Sequence, residues 1–294
     1  MTRVFTFGCS YTSYLPWPTW ANFLGLEYEN YQNWGIPGLG CRGIAERVAE
    51  CHARNNITSD DIVVVQWTSH LRHDYFRFLE DGQYHWRAAG SVFAEHNSQT
   101  FSLDWIEKFF DEPAYIMHSL NAMVSVISLL KLTGCKWYMT SIGDFTKLGS
   151  DLDNVRGDET IGNVLSIENN YPQFNFYVDH IWKDHATHWL KPIGTYAIEN
   201  HDNEWRWRNS EGDLVLFDRH PSPTQHVGWL NTQLRPALGL GTPPKEQELW
   251  LQELARLKYT HINNLEMFYA AVNSSEFEFE FWPHNIWFRP AEGF

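Results

Sequence analysis

The sequence predicts an α/β fold, three layers (α/β/α) around a central, mostly parallel sheet. Three observations carry that expectation. Ile62-Val-Val-Val-Gln-Trp67 opens with four consecutive β-branched residues, the run of a strand buried on both faces. Strand-like and helix-like segments alternate through the first half of the chain. Gly134 stands between a long apolar helical stretch and the next β-rich run, where a helix C-cap belongs.

Taken in order, Arg3-Val-Phe-Thr-Phe-Gly8 is a short apolar run ending in glycine, and reads as a buried first strand. Pro18 near its start and Gly25 near its end bound a short helix over Trp17–Leu26. Tyr28–Asn33 reads as a second strand, stopped by the glycine-rich loop Gly35-Ile-Pro-Gly38-Leu-Gly40. Arg42–Asn55 carries Ile44, Val48 and Cys51 at helical spacing. The turn Thr58–Asp61 leads into the strand 62–67, and Ala114–Thr133 (helix) and Lys136–Thr140 (strand) continue the alternation. Ser222–Leu234 and Pro243–Leu257 read as helices, and Phe277–Trp282 alternates like a one-faced strand. Residues 1–240 are expected to form one domain with polar, aromatic, weakly periodic insertions at about 70–112 and 143–210. Residues 241–294 are an extension of helix and strand, packed on the domain or on a partner.

Composition narrows the function. The 22 Lys+Arg face 36 Asp+Glu, a formal charge of −14, and no basic run occurs. Phosphate neutralisation needs clustered cations, so nucleic acid drops out as a partner. The four cysteines, Cys9, Cys41, Cys51 and Cys135, form no CxxC pair and read as isolated thiols of a reducing compartment. The apolar stretch around Met123–Leu132 is interrupted by Ser125 and Ser128 and reads as a buried helix, not a membrane span. The N-terminus runs straight into a strand, so the expected location is cytoplasmic or virion-associated. Aromatic residues make up 16% of the chain, with 15 Trp. Such rings either stack on sugars or fill the core.

Ligands of open α/β sheets sit at the carboxyl ends of the strands. Three segments carry chemistry there. Gly8-Cys-Ser10-Tyr-Thr12 follows the first strand and offers a hydroxyl nucleophile. Asn33-Trp-Gly-Ile-Pro-Gly38 offers a backbone N–H that a ligand can approach closely. Phe217-Asp218-Arg-His220-Pro-Ser-Pro places an imidazole on a loop stiffened by Pro221, just before a helix. Each segment alone is as well explained by a turn or a cap.

Together, the three segments resemble the sequence blocks of the SGNH (GDSL-like) hydrolase superfamily, whose fold is flavodoxin-like. The Gly-Cys-Ser-Tyr-Thr form of the first block is similar to that of phage-encoded members. The resemblance spans roughly residues 1 to 235. It implies Ser10 as nucleophile and His220 as base, with the Ser10 and Gly38 N–H groups as oxyanion donors. Two positions depart from the pattern. Thr68 stands where the third block has Asn, and a hydroxyl reaches less far than an amide. The family's Asp, three residues before the His, is Phe217 here; Asp218, one step off, is the residue left to orient His220. Trp67, His70 and Arg72, at the end of the third strand, are expected to contact substrate.

Other polar groupings read as structural. His180, His185 and His188 lack a third ligand at a recognised spacing and are expected to be exposed loop residues, so no metal or other cofactor is called for. His73 is taken as loop, and Asp151, Asp153, Asp158 and Glu159 do not meet calcium-loop spacing. His226 is expected on the helix after His220, facing the cleft wall.

Two functional readings remain. One is a serine esterase acting on small-molecule or glycan esters, such as the O-acetyl groups of a surface polysaccharide. The other is a catalytically weak or inactive structural or binding protein of a virion, self-associating or meeting partners through residues 241–294. A Ser10 hydroxyl within hydrogen-bond reach of His220 separates them.

Overall fold

The computed structural model describes residues 2–14, 16–78, 84–94, 98, 100–143, 147–148, 165–167, 171–202, 205–208, 211–215 and 220–275. Its strands are β1 (Arg3–Phe7), β2 (Asn30–Asn33), β3 (Ile62–Trp67), β4 (Arg72–Phe78), β5 (Tyr84–Ser91) and β6 (Lys136–Ser141). The first helices are α1 (Trp20–Gly25), α2 (Cys41–Asn55), α3 (Leu103–Phe109) and α4 (Glu112–Thr133). The central sheet has the order β2–β1–β3–β6 and is parallel throughout.

β3 lies in the middle, which is why its β-branched run is buried on both faces. Alternate side chains enter two cores. Val63, Val65 and Trp67, with Phe5, Phe7, Trp137 and Met139 of the neighbouring strands, pack against Ile44 and Val48 of α2 and Leu120, Met123 and Ile127 of α4. Ile62, Val64 and Val4 face the other way, onto Trp20, Phe23 and Leu24 of α1 and Trp229 and Leu230. The period of two along a strand thus divides the helices into two layers, one on each face of the sheet.

Local chemistry sets the ends of the helices. α1 starts at Trp20 rather than Trp17, because the Thr19 N–H donates to Asn22 Oδ1 at 2.9 Å and closes the first turn there. Asp111 Oδ1 accepts from Ala114 N at 2.9 Å to open α4, and Gly134 closes it at φ +69°. Among the described residues, α4 is long and apolar enough to cross a membrane by length and composition. Its apolar face is occupied by the core against α2 and the sheet.

The first insertion is more regular than its composition suggests. β4 and β5 pair antiparallel, with a register irregularity between Arg72 and Asp74, and α3 follows. In the second, a short pair joins Lys147–Leu148 to Leu165–Ser166, and helical turns run through Pro172–His188 into the helix Ile193–Glu199. The helix after His220, Pro223–Trp229, continues through a π-type segment, Leu230–Leu234. Beyond residue 240 the helix Lys245–Thr260 is joined by one the sequence pattern did not reveal, Leu265–Asn273. Leu254, Leu257, Phe268 and Val272 of this pair enter the α1-side core, so this part of the extension packs on the domain. The alternating segment Phe277–Trp282 lies outside the described residues.

Candidate active site

Ser10 sits one turn beyond the end of β1. The turn is tight: Thr12 N and Ser13 N both donate to Cys9 O, at 2.9 and 3.0 Å. Gln66 holds it from β3, its Oε1 accepting from Thr12 Oγ1 at 3.1 Å and from Cys9 N at 3.4 Å. Gly8 is required for this approach, since a Cβ there would lie 2.1 Å from Thr12 Oγ1. Ser10 is left with 7% of its surface exposed.

His220 comes to it from 210 residues away: Nε2 and Ser10 Oγ are 2.7 Å apart. The imidazole is stacked on Tyr14 (centroids 4.1 Å apart, planes at 17°) and flanked by Tyr11. Its chain position is fixed just downstream. Trp17 Nε1 donates to Pro221 O at 3.0 Å. Ser222 caps the following helix in a reciprocal box with Gln225 and donates to Asp202 Oδ2 at 2.5 Å. Gln225 Nε2 also donates to Ala197 O and Asn200 O, both at 2.8 Å. Asp202, Tyr14 and Gln66 were not singled out by the sequence; each acts through a partner distant in the chain, and no local pattern marks it. Asp218, expected to orient His220, lies outside the described residues.

Gly38 and Thr68 belong to the same end of the sheet. β1 and β3 pair in register from Val4–Ile62 to Phe7–Val65, so the segments leaving them, with Ser10 and Thr68, emerge together. Gly38 has φ +81°, a left-handed conformation that suits glycine. Neither the Ser10 N–H nor the Gly38 N–H is hydrogen-bonded to another described residue. Thr68 is completely buried, and its hydroxyl also has no hydrogen-bond partner among the described residues. A buried hydroxyl without a partner costs about 1–3 kcal/mol, so its presence asks for a reason.

The three expected substrate contacts are placed as follows. Trp67 is wholly in the core, its indole N–H directed at Met139 Sδ (3.3 Å), and presents nothing to a cleft. The outcome follows from strand period: Trp67 shares a face with Val63 and Val65. Arg72 Nη1 donates to Leu39 O at 3.0 Å, so its guanidinium holds the Gly38 loop. His70 Nε2 lies 3.4 Å from Glu112 Oε1. His73, taken as loop, is on β4 and faces Tyr115 Oη across 2.8 Å.

Of the other histidines, His185 and His188 differ from expectation. His188 stacks on Trp137 at 3.7 Å with Nδ1 2.9 Å from Trp137 O, and His185 is buried beside it; both cover the sheet edge instead of lying exposed. Among the described residues no group of three or more potential ligands is placed to hold a metal. His226 is fully buried with neither ring nitrogen hydrogen-bonded to a described residue; burial, and secondarily the charge of His220, push its pKa down to about 3. The Cys41 thiol, hydrogen-bonded to Thr68 O at 3.1 Å, is pushed up to about 12 by burial and stays protonated. Most of the tryptophans are core residues: Trp17, Trp20, Trp34, Trp67, Trp137, Trp205, Trp207 and Trp229 are all buried.

No protein-family model matches the chain, and no curated protein matches it. Among solved structures it is similar to a member of the lipolytic protein G-D-S-L family from Veillonella parvula DSM 2008. The two share 14% identity over 79% of this chain and 95% of the other, with a TM-score of 0.39. At that identity and TM-score the likeness decides neither fold nor chemistry. The fold rests on the parallel sheet itself.

Proposed function

We propose that the protein is a serine ester hydrolase of the SGNH type. The observation that carries this reading is the 2.7 Å contact between Ser10 Oγ and His220 Nε2 at the carboxyl end of a parallel sheet. With the proton on Nδ1, His220 Nε2 accepts the hydroxyl proton as Ser10 Oγ attacks the acyl carbon. The oxyanion that forms is held by the N–H groups of Ser10 and Gly38 and by the Thr68 hydroxyl. His220 then returns its proton to the leaving alcohol, and water, deprotonated by the same imidazole, releases the acyl group from Ser10. The face of Tyr14 against the ring attracts the imidazolium formed between these steps.

Within this class we propose O-acetyl groups of a polysaccharide as substrate. The support is the phage-like Gly-Cys-Ser-Tyr-Thr block; the tryptophan-rich composition adds little, because those rings are largely spent in the core.

The test is hydrolysis of p-nitrophenyl acetate and covalent labelling by a fluorophosphonate, with Ser10→Ala and His220→Ala beside the parent. Loss of turnover in both variants, and of labelling in Ser10→Ala, is expected. Turnover that persists unchanged in either variant overturns the assignment. Absence of both activity and labelling in the parent favours the alternative, a binding or structural protein on the same scaffold.

A further inference from the structure

The hairpin β4–β5 is tied to the Gly38 loop by hydrogen bonds at three successive residues. Asp74 of β4, 5% exposed, accepts from Gly40 N at 2.8 Å through Oδ1 and at 3.0 Å through Oδ2, and from Gly43 N at 2.9 Å. Gly40 is the N-cap of α2 and has no side chain to satisfy the first-turn donors, so a carboxylate from another element does so. Burial pushes the Asp74 carboxyl up, opposed by these backbone hydrogen bonds and by Arg72. The same hairpin reaches the two preceding residues as well. Arg72 Nη1 donates to Leu39 O at 3.0 Å, and Gly90 N donates to Gly38 O at 3.0 Å. Residues 38, 39 and 40 are thus each hydrogen-bonded to the hairpin, while the Gly38 N–H is left free of described partners.

We infer that Asp74 is a positioning residue for catalysis: by anchoring Gly40 and Gly43 it fixes the loop whose Gly38 N–H meets the oxyanion, which makes the inserted hairpin part of the catalytic apparatus. The inference rests on the ester-hydrolase reading. The physical argument is one of tolerance. A donor at a transition state must be held to within about 0.5 Å, and an irregular loop has no hydrogen-bond ladder of its own to hold it. A carboxylate that accepts from two backbone N–H groups of one helix end fixes the loop's exit, and the Gly90 and Arg72 bonds fix the peptide units before it.

The experiment uses Asp74→Asn, which keeps the shape but removes the charge and one acceptor oxygen. kcat and KM for p-nitrophenyl acetate are measured separately, together with affinity for an arylboronic acid, which forms a tetrahedral adduct with the serine. A fall in kcat of tenfold or more is expected, with KM within twofold and boronate affinity falling in step with kcat. A helix cap without a positioning role would lower the melting temperature and leave kcat of the folded enzyme unchanged, and that result overturns the inference. If Asp74→Asn does not fold, Arg72→Ala decides in its place, since it leaves the α2 cap intact. A smaller loss of kcat in the same direction supports the inference, and an unchanged kcat overturns it. Amide exchange at Gly40 and Gly43 gives a readout independent of turnover. Faster exchange at both glycines in Asp74→Asn is expected, and unchanged exchange refutes the anchoring itself. A parent enzyme without turnover or boronate binding would instead remove the ester-hydrolase reading.

Discussion

Replacing Thr68 by valine should make the protein more stable and the enzyme worse. The Thr68 side chain is completely buried and its hydroxyl meets no hydrogen-bond partner among the described residues. Valine has nearly the same shape and the same branching at Cβ, so it fits the backbone at the end of β3. The backbone carbonyl of residue 68 keeps its bond from Cys41 Sγ. What changes is the removal of a buried polar atom that has no hydrogen-bond partner among the described residues, worth about 1–3 kcal/mol in favour of the folded state. In the reaction the same hydroxyl is expected to donate to the oxyanion, and loss of one such donor costs ~10²-fold or more in turnover, about 2.7 kcal/mol. The urea midpoint should therefore rise while kcat falls, with KM nearly constant. Turnover unchanged in Thr68→Val would show that the hydroxyl takes no part in the oxyanion site. A drop in stability would show that the hydroxyl has a partner, and the argument from its isolation would fail.

Glycine conformation offers a matched pair. Gly38 and Gly134 both have positive φ, +81° and +69°, but a Cβ on Gly38 would lie 2.9 Å from Ala88 O, whereas the nearest atom to one on Gly134 is Ser59 Cβ at 3.7 Å. Gly134→Ala should cost only the left-handed term, about 1–2 kcal/mol, and keep full kcat; Gly38→Ala should cost more and lose most of kcat. Equal effects in both assays would refute the role of the loop. His226 supplies a pH prediction. Its native pKa lies near 3 and its unfolded value near 6.5, so above 6.5 both states are neutral and the stability is complete. As pH falls from 6.5 toward 3, the unfolded chain takes up a proton that the native state refuses, and stability drops by up to ~1.4 kcal/mol per pH unit. His226→Phe should flatten urea midpoints measured across that range; an unaltered slope would mean that other groups carry the acid sensitivity.

The sequence by itself determined the parts whose physics is local. Four β-branched residues in a row mark β3 because a strand covered on both faces needs no polar side, and Gly134 marks the end of α4 because it closes the helix at positive φ. Ser10 after the first strand and His220 before a helix were legible as candidates only through the resemblance of their segments to the SGNH blocks, since each segment alone reads equally well as a turn or a cap. Tertiary structure alone brought them together. The Ser10–His220 contact spans 210 residues and depends on how the sheet and the helix after His220 pack. The burial of the Thr68 hydroxyl without a partner among the described residues, the burial of Trp67 and the reach of Asp74 from an inserted hairpin to the start of α2 depend on strand register and on which face meets which helix. Periodicity and turn chemistry report a residue's neighbours along the chain; the partner across the fold is chosen by packing, and the chemistry of this site is a property of those partners.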